Sequence, residues 1–328
     1  TTIKNHSAAR TKNIIKIAEL AKYRRIMTGS PVTKSPLDLF SQVQFLDPWL
    51  LEQQSYYSFR ARYAVIVQRS VGTHSFQHIV KYQRLDELQE KIQHFSTRVL
   101  KSDCLDLPEK VYTKRSVSLT REQVKAYTEM KKAAITFFEE NVMTAASVLT
   151  QMIRLHQIIC GHVKTDDGEV KSIKSNRIKE LLEVLEETDG KVIIWAVYRY
   201  DIQEIERTLG EKYGKESVAT YYGDTKDNLR QSIVDRFMDA DDPLRFFVGN
   251  PKTGGYGLTL TSSHTVVYYS NDYSLEVRLQ SEDRAHRIGQ TSKVTYVDLM
   301  ADHTIDEKIV KALNAKIDLA SQVMGEDP

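Results

Sequence analysis

The second half of the chain alternates short apolar runs with amphipathic stretches. Val192–Val197 is continuously apolar, as expected of a strand buried on both faces of a parallel sheet. Four more runs predict strands, at Val218–Tyr222, Leu244–Gly249, Thr265–Ser270 and Val294–Met300. Helical periodicity lies between them and predicts helices at Arg199–Tyr213, Lys226–Met238 and Ser274–Ile288. Thr304-x-x-Glu307 is a capping box that opens a helix ending near Ala320. This alternation predicts a doubly wound α/β domain over residues 172–328.

The first hundred residues have a weaker periodicity. A basic amphipathic helix is predicted from about Ala8 to Lys22, followed by a short strand at Tyr23–Met27. Ser35-Pro36-x-Asp38 predicts the start of a helix, because proline and an acidic residue suit a first turn. Residues 50–100 are rich in Tyr, Gln and Arg and are predicted to be mostly helical, most clearly from Asp86 to Phe95.

The middle of the chain combines one strand pattern with two helical ones. Alternating side chains from Val111 to Leu119 predict a strand. Thr120-x-x-Gln123 is a capping box, so a helix is predicted from Arg121 to Glu140, and a second helix from Ser147 to Ile159. The polar turn Thr165–Glu169 is predicted to be the linker between two domains.

Composition narrows the class of protein. A length of 328 residues favours two domains, and 41% apolar with 27% charged residues is typical of a soluble globular protein. The absence of any run approaching 18 apolar residues argues against a membrane span and favours an intracellular location, in the cytoplasm, or the nucleoid or host cytoplasm for a viral protein. Cys104 and Cys160 are far apart, which argues against a disulfide framework, and the His156/Cys160 pair is interpreted as packing rather than metal binding.

Charge is unevenly distributed although the net charge is only +2. Residues 1–34 carry eight Lys or Arg against a single acid, Glu19. This excess is compatible with a surface that faces phosphates, and equally with a solvated helix face.

One string near the C-terminus carries candidate chemistry: Gln280-Ser-Glu-Asp-Arg284-Ala-His286-Arg287-Ile-Gly289-Gln290. On the predicted helix, which Gly289 would end in a left-handed cap, Gln280, Arg284 and Arg287 share a stripe roughly 60° wide. Two guanidinium groups held on one face suit a phosphate on which charge develops. A solvated basic turn is the alternative for the bare spacing, and His286, on the other face, is interpreted as structural.

A glycine-rich segment, Asn250–Leu260, follows a predicted strand and carries Lys252, Thr253 and three glycines. Glycines allow backbone N–H groups to approach phosphate oxygens closely, although many such segments are only turns. Because ligands of open α/β sheets bind at the carboxyl ends of the strands, the chemistry-bearing loops are expected there.

The string at 280–290 closely resembles motif VI of the SWI/SNF-like ATPases in helicase superfamily two. Thr28-Gly29-Ser30-Pro31, followed by Ser-Pro-Leu-Asp-Leu-Phe, resembles motif III of the same family. The glycine-rich segment resembles motif V in order and spacing. Tyr222-Gly223-Asp-Thr225, with Arg230 downstream, is similar to the family's D-G-S-T segment.

Two departures accompany this resemblance, which covers nearly the whole chain. Leu155–Cys160 resembles an L-R-Q-I-C segment, with His156 in the place of the usual arginine. Ala196-Val197 stand where motif IV usually has Ser-Gln, as in some compact bacterial and viral relatives.

The resemblance implies a RecA-like architecture in five parts. Residues 1–50 would be the remnant of a first RecA-like lobe, 51–104 a helical protrusion, 105–140 a strand and helix returning to that lobe, 141–171 a helical linker, and 172–328 the second, C-terminal helicase lobe. ATP and Mg²⁺ are the implied cofactors, and the phosphate backbone of duplex DNA is the implied partner.

The resemblance also implies roles for individual residues. Arg284 and Arg287 would be fingers that reach across a cleft to ATP, with Gln280 orienting an arginine or touching phosphate. Gly255, Gly257, Thr28 and Gly29 would lie against ATP, whereas Lys252, Thr253, Gly254, Gly223, Thr225 and Ser30 would contact DNA. No metal ligand is assigned within the chain.

The sequence contains no G-x-x-x-x-G-K-[ST] string, and Thr1 would take the last position of motif II. The P-loop and the acids that bind magnesium are therefore expected in a missing N-terminal lobe, and the chain alone is expected to be inactive as an ATPase. Two alternatives stay open: a non-catalytic module that binds DNA or another partner, and an RNA-directed helicase, against which His286-Arg287-Ile-Gly-Gln argues.

Overall fold

The computed structural model describes residues 2–71, 74–139, 145–165, 167–254 and 257–324. The chain divides into two compact units. One comprises Thr1–Val99, Ser274–Glu276 and Ala312–Pro328, and the other comprises Leu100–Tyr273 and Val277–Lys311. No helix among the described residues is long and apolar enough to span a membrane.

The first unit is built from helices around a β-hairpin. Its elements are α1 (Ala9–Ala18), α2 (Asp38–Leu46), α3 (Tyr56–Tyr63), β1 (Ala64–Val71), β2 (His74–Tyr82) and α4 (Leu85–Gln93). The core contains Leu39, Phe40, Phe59, Tyr63 and Leu88, all nearly inaccessible to solvent. The predicted helices near residues 8–22, 38 and 86–95 are confirmed.

Two predictions in this unit are wrong. The antiparallel hairpin β1–β2 occupies part of the predicted helical protrusion, because Val65–Val67 and Ile79–Val80 supply β-branched residues that the interleaved glutamines and arginines obscured. Residues Tyr23–Met27 form no strand: Tyr23 and Met27 are 82% and 96% exposed, and no strand in the described part of the chain pairs with this segment.

The second unit contains the α/β architecture. Its elements begin with α5 (Lys101–Cys104), β3 (Lys110–Ser116), α6 (Arg121–Glu139), α7 (Ala145–Cys160), β4 (His162–Lys164), β5 (Val170–Ser172), α8 (Arg177–Glu186), β6 (Lys191–Trp195) and α9 (Arg199–Tyr213). They continue with a 3-10 turn (Lys215–Ser217), β7 (Val218–Tyr221), α10 (Asp227–Met238), β8 (Phe246–Gly249), α11 (Pro251–Gly254), β9 (Ser263–Tyr268), α12 (Leu275–Glu282), β10 (Val294–Met300) and α13 (Ile305–Met324). The first two residues of α12 and the part of α13 from Ala312 onward are counted with the first unit. All five strands predicted for the second half of the chain are confirmed.

Six parallel strands form one sheet in the order β3-β10-β9-β6-β8-β7. The interior strand β6 is buried on both faces: Val192 and Ile194 join one apolar cluster with α8 and α9, whereas Ile193 and Trp195 join another with α10. Helices therefore cover both faces, and the doubly wound parallel fold predicted from the sequence is confirmed.

The boundaries predicted between residues 105 and 171 differ from the structure. β3, expected to return to the first lobe, pairs along its whole length with β10 at the edge of the six-stranded sheet. Its alternating pattern identifies a strand but carries no information about the partner. The turn expected to be a linker instead closes the hairpin β4–β5, where Gly168 takes φ +88° and the Thr165 N–H donates to the Glu169 carbonyl (2.8 Å).

The capping box predicted at Thr120 is present, whereas at α13 Thr304 and Glu307 cap the helix without forming the predicted reciprocal pair. The Gln123 N–H donates to Thr120 Oγ1 (3.2 Å), and the Thr120 N–H donates back to Gln123 Oε1 (3.1 Å). At α13, the Asp306 N–H donates to Thr304 Oγ1 and the His303 N–H to the Glu307 carboxylate, each at 3.2 Å. These contacts satisfy N–H groups that have no partner within the helix.

Candidate functional site

The two candidate arginines lie on turns and not on a helix, which corrects the helix predicted over 274–288. α12 ends at Glu282. The reason is tertiary: the Arg284 carbonyl accepts the Leu260 N–H (2.9 Å) and the Ala285 carbonyl accepts Gln290 Nε2 (3.1 Å), so neither is free to continue the helix. Gly289 does take the left-handed conformation that the sequence predicted, at φ +99°.

The turns nevertheless bring the two guanidinium groups together. Arg284 Nη1 and Arg287 Nη1 donate to the same carbonyl oxygen, that of Leu258, at 3.0 and 3.4 Å. Arg284 Nε also donates to the Gln280 carbonyl (2.8 Å), so the three predicted residues are neighbours. Arg287 is exposed and Arg284 is half-buried. Burial, and then the charge of Arg287, lower the pKa of Arg284.

Residues 283–290, which we call the arginine turn, lie at the amino end of the sheet. The sequence predicts the chemistry-bearing loops at the carboxyl end, so this prediction is wrong for the two arginines. Gln290 Nε2, from the same turn, donates to the carbonyls of Thr261 (3.2 Å) and Ser263 (2.9 Å), and Ser263 is the first residue of β9. The carboxyl-end rule describes ligands that a sheet's own loops enclose. The rule does not say where on the sheet a side chain must lie if it contacts a ligand that is bound outside those loops.

Sequence reasoning missed two sets of residues that hold this turn. Gln290 is buried and its amide bridges three backbone carbonyls, so it fixes the turn to the start of β9. Buried Arg278 anchors α12: its guanidinium lies 2.5 Å from Asp298 Oδ1 and 2.7 Å from Glu282 Oε1, and sits 3.6 Å from the centre of the Tyr268 ring. Alternating charge on a short helix gave no signal that this ion cluster would be buried.

The described start of the glycine-rich segment, residues 250–254, follows the carboxyl end of β8, and its backbone donors already have partners within the segment. Asn250 is the acceptor: its side chain accepts the Lys252 N–H (2.9 Å), and its carbonyl accepts the N–H groups of Thr253 (3.0 Å) and Gly254 (2.8 Å). Any phosphate contact by Lys252 or Thr253 must therefore be made through the side chains.

The glycines of this segment differ in what they do. Gly254 is buried, and a Cβ there would lie 2.7 Å from the Trp195 ring, so packing alone requires glycine. Gly257 has φ +75° and open space around it. Gly255 lies outside the described residues. Exposed Lys252 is paired with Asp272, which follows β9, at 2.6 Å.

The segment with Gly223 and Thr225 lies beside the start of the glycine-rich segment, because β7 and β8 are neighbours and the Asn250 N–H donates to the Tyr221 carbonyl (3.1 Å). Gly223 is exposed with open space at its Cβ position. The Thr225 hydroxyl is already used within the turn, donating to the Thr220 carbonyl and accepting the Tyr222 N–H, both at 3.0 Å.

In the first unit, Thr28, Gly29 and Ser30 form an exposed to half-buried turn. Thr28 Oγ1 accepts the Ser30 N–H (3.2 Å), and the largely buried Lys4 donates to the Ser30 carbonyl (2.7 Å) and to Thr33 Oγ1 (2.9 Å). Gly29 has open space around it. The turn is thus fixed from behind while its outer side stays accessible.

His156 packs inside the second unit. Its Nδ1 lies 2.9 Å from the Tyr198 hydroxyl and its Nε2 3.4 Å from Asp306 Oδ1, while Cys160 is buried nearby on the same helix. This agrees with the interpretation as packing. His286 is also buried, with Nε2 2.7 Å from the Pro108 carbonyl, which suits a structural role.

Comparisons with known proteins identify the family of the chain. The model of the SNF2-related domain matches residues 1–164, which is half of the chain, and the model of the helicase conserved C-terminal domain matches residues 173–289. An uncharacterized ATP-dependent helicase of Mycoplasma genitalium is 27% identical over 99% of this chain and 30% of its own length. A putative ATP-dependent helicase/translocase of Bacillus subtilis is 27% identical over 98% of this chain and 34% of its own length.

Solved structures show the same fold. The SWI2/SNF2 ATPase core of Sulfolobus solfataricus, in complex with double-stranded DNA, superposes with a TM-score of 0.54 and 25% identity, covering 98% of this chain and 66% of that chain. The sheet described above is therefore that of a RecA-like helicase lobe. The chain spans about a third of the length of the bacterial relatives. From its sequence motifs, its fold and these matches, the chain belongs to the SNF2-related family of SWI/SNF-type ATP-dependent helicases.

Proposed function

We propose that this chain is the part of a DNA-dependent ATPase, a translocase on double-stranded DNA, that supplies two arginine fingers and contacts to the DNA backbone. One observation carries the proposal: the guanidinium groups of Arg284 and Arg287 converge on a single carbonyl oxygen, and Arg287 is exposed. Two cations in that arrangement repel each other, so a bound phosphate stabilises the turn and the turn stabilises charge that develops on the phosphate.

The position of the arginine turn at the amino end of β9 suits this role. A finger acts on a nucleotide that another lobe binds, so it needs an accessible side chain on a rigid support. Gln290 and Arg278 provide that support from behind. Correctly placed fingers contribute about 10³–10⁵ in rate.

The nucleotide-binding half of the reaction centre is proposed to come from another RecA-like lobe. Its P-loop would hold ATP and its carboxylates Mg²⁺, which neutralises phosphate charge during hydrolysis. The first unit supports such a partner: Leu20, in the predicted basic helix, is 89% exposed, and Tyr23 and Met27, in the predicted strand, are 82% and 96% exposed. A row of exposed large apolar side chains marks a surface that a folded neighbour covers. Gly257, Gly255, Thr28 and Gly29 are proposed to line the nucleotide.

Duplex DNA is proposed to lie against the carboxyl ends of β7 and β8. Exposed Lys252 and Gly223 are there, with Thr253, Gly254 and Thr225 beside them, and Ser30 would add a contact from the first unit. The Sulfolobus relative was solved with double-stranded DNA. Contacts of this type go to phosphates, so binding is independent of sequence and falls as salt rises.

The test is ATP hydrolysis by the full-length protein with blunt duplex DNA, duplex RNA or no nucleic acid. The proposal predicts strong stimulation by duplex DNA alone. Stimulation only by RNA would make the protein an RNA-directed helicase, and no hydrolysis under any condition would make it a binding module. The 328-residue chain by itself is predicted to show no magnesium-dependent turnover, because it contains no P-loop string.

A further inference from the structure

The β1–β2 hairpin of the first unit extends beyond its core. Residues 67–70 of β1 and 75–78 of β2 are exposed on both faces of the hairpin, whereas Ala64 and Tyr63 at its base are buried. A two-stranded ribbon has little stability of its own. Its outer part makes no contribution to the apolar core of the unit.

The two faces of the ribbon have different chemistry. The register places Arg69 opposite Phe76, Val67 opposite His78 and Val65 opposite Lys81, and directly opposed residues share a face. This face therefore carries two cations with an aromatic ring and an imidazole between them, and Phe76 is 47% exposed. On the other face the hairpin's own side chains, Gln68, Ser70, Ser75 and Gln77, are polar and uncharged, and Arg60 of α3 donates to Gln77 there.

Charge in this region is one-sided. Residues 53–85 contain five Lys or Arg and no Asp or Glu. Glu87 neutralises part of this charge at the base, where it pairs with Arg62 (2.7 Å) and Arg84 (3.9 Å). Within the described ranges, Arg69 and Lys81 have no carboxylate within ion-pair distance. The cationic and aromatic face, which we define as Val67, Arg69, Phe76, His78 and Lys81, is complementary to a polyanion that also presents flat rings.

We propose that this face binds unpaired DNA next to the duplex on which the motor acts. Phe76 and His78 lie two residues apart, about 7 Å along one strand, so successive bases can stack on their rings. Arg69 and Lys81 flank them and take the adjoining phosphates. Contacts to a duplex backbone alone would use the cations and leave the aromatic side chains without a role. The inference rests on the proposed function only in that DNA is the polymer bound.

The experiment measures the affinity of the full-length protein, by fluorescence anisotropy without nucleotide, for a blunt DNA duplex and for the same duplex with a single-stranded DNA tail. The wild type is expected to prefer the tailed duplex. Phe76→Ala should lower the affinity for the tailed duplex about 5-fold or more and leave that for the blunt duplex unchanged. Phe76→Trp should restore it, which separates lost stacking from misfolding.

Two further variants sharpen the test. Arg69→Gln combined with Lys81→Gln should reduce the slope of log affinity against log salt by about 1.4 for the tailed duplex, as expected for two contacts to single-stranded phosphates. Ser75→Ala, on the other face of the same hairpin, is the matched control and should change neither affinity.

Three outcomes would overturn the assignment: no preference of the wild type for the tailed duplex, equal losses of affinity for both DNAs with Phe76→Ala, or a preference seen only when the tail is made of ribonucleotides. Failure of the proposed function is seen separately, as absent ATP hydrolysis with blunt duplex in a wild type that still binds the tail through Phe76.

Discussion

A buried ion pair in the second unit allows the stability of the fold to be predicted quantitatively. The side chain of Arg177 is completely buried and donates to the Asp306 carboxylate, to the Tyr269 carbonyl (2.6 Å) and to the Leu299 carbonyl (3.2 Å). It thus joins α8 and α13 to the ends of β9 and β10. Burial alone would raise the pKa of Asp306, but the charge of Arg177 and a contact from His156 lower it to about 2.

Replacing Asp306 with Asn keeps the shape and removes the charge that Arg177 needs. An uncompensated buried guanidinium costs about 3–5 kcal/mol of unfolding free energy. The pH dependence has a definite sign: the folded pKa lies below the unfolded value of 3.8, so the ion pair stabilises at neutral pH and this stabilisation is lost as pH falls towards 2. By pH 3 the difference in unfolding free energy between the wild type and Asp306→Asn should be about 1 kcal/mol smaller than at pH 7.

The assay is chemical denaturation of the 328-residue chain at pH 7 and at pH 3, followed by circular dichroism. Asp302→Asn is the matched control, because Asp302 is exposed and should change the unfolding free energy by less than about 0.5 kcal/mol. The reasoning would be refuted if both variants lost the same unfolding free energy at pH 7. It would also be refuted if the difference between the wild type and Asp306→Asn grew from pH 7 to pH 3.

Three other substitutions test the candidate site. Gln290→Ala removes a side-chain amide whose two N–H groups are shared among three carbonyls, a loss of about 2 kcal/mol, and should reduce ATP hydrolysis by the full-length protein without changing its DNA affinity; an unaffected rate would mean that other contacts hold the turn. Asp272→Asn frees Lys252 and should raise duplex affinity about twofold to fivefold at low salt, whereas a decrease would place Asp272 among the DNA contacts. Gly254→Ala should destabilise the chain by about 1–3 kcal/mol in thermal unfolding, and Gly223→Ala, in open space, should not; similar melting curves would contradict the packing argument.

Sequence pattern predicted the second unit well because its strands are strongly specified. From Val192 to Trp195 β6 is an unbroken apolar run, because both of its faces are covered. The capping residues Thr120 and Thr304 could also be predicted, because the hydrogen bonds that cap the start of a helix join residues close together in sequence.

Two of the failures involve partners distant in sequence. The alternation in β3 marked a strand but could not name β10 as its neighbour, and the helix through Arg284 was cut short by Leu260, which lies on another segment. The glycine-rich segment illustrates the limit for site residues. Gly254 lies in a segment whose composition is typical of a phosphate-binding loop. Its N–H, however, donates to the Asn250 carbonyl, and a side chain at this position would clash with Trp195.

The central claim is that Arg287 acts on ATP and not on DNA. In the full-length protein, Arg287→Ala should lower duplex-stimulated ATP hydrolysis by about 10³-fold or more while duplex affinity stays within a few-fold of wild type. Arg207→Ala, which removes an equally exposed arginine paired with Glu204 and Glu211 on α9, should retain both properties. Hydrolysis that survives in Arg287→Ala, or a collapse of duplex affinity in its place, would contradict the account.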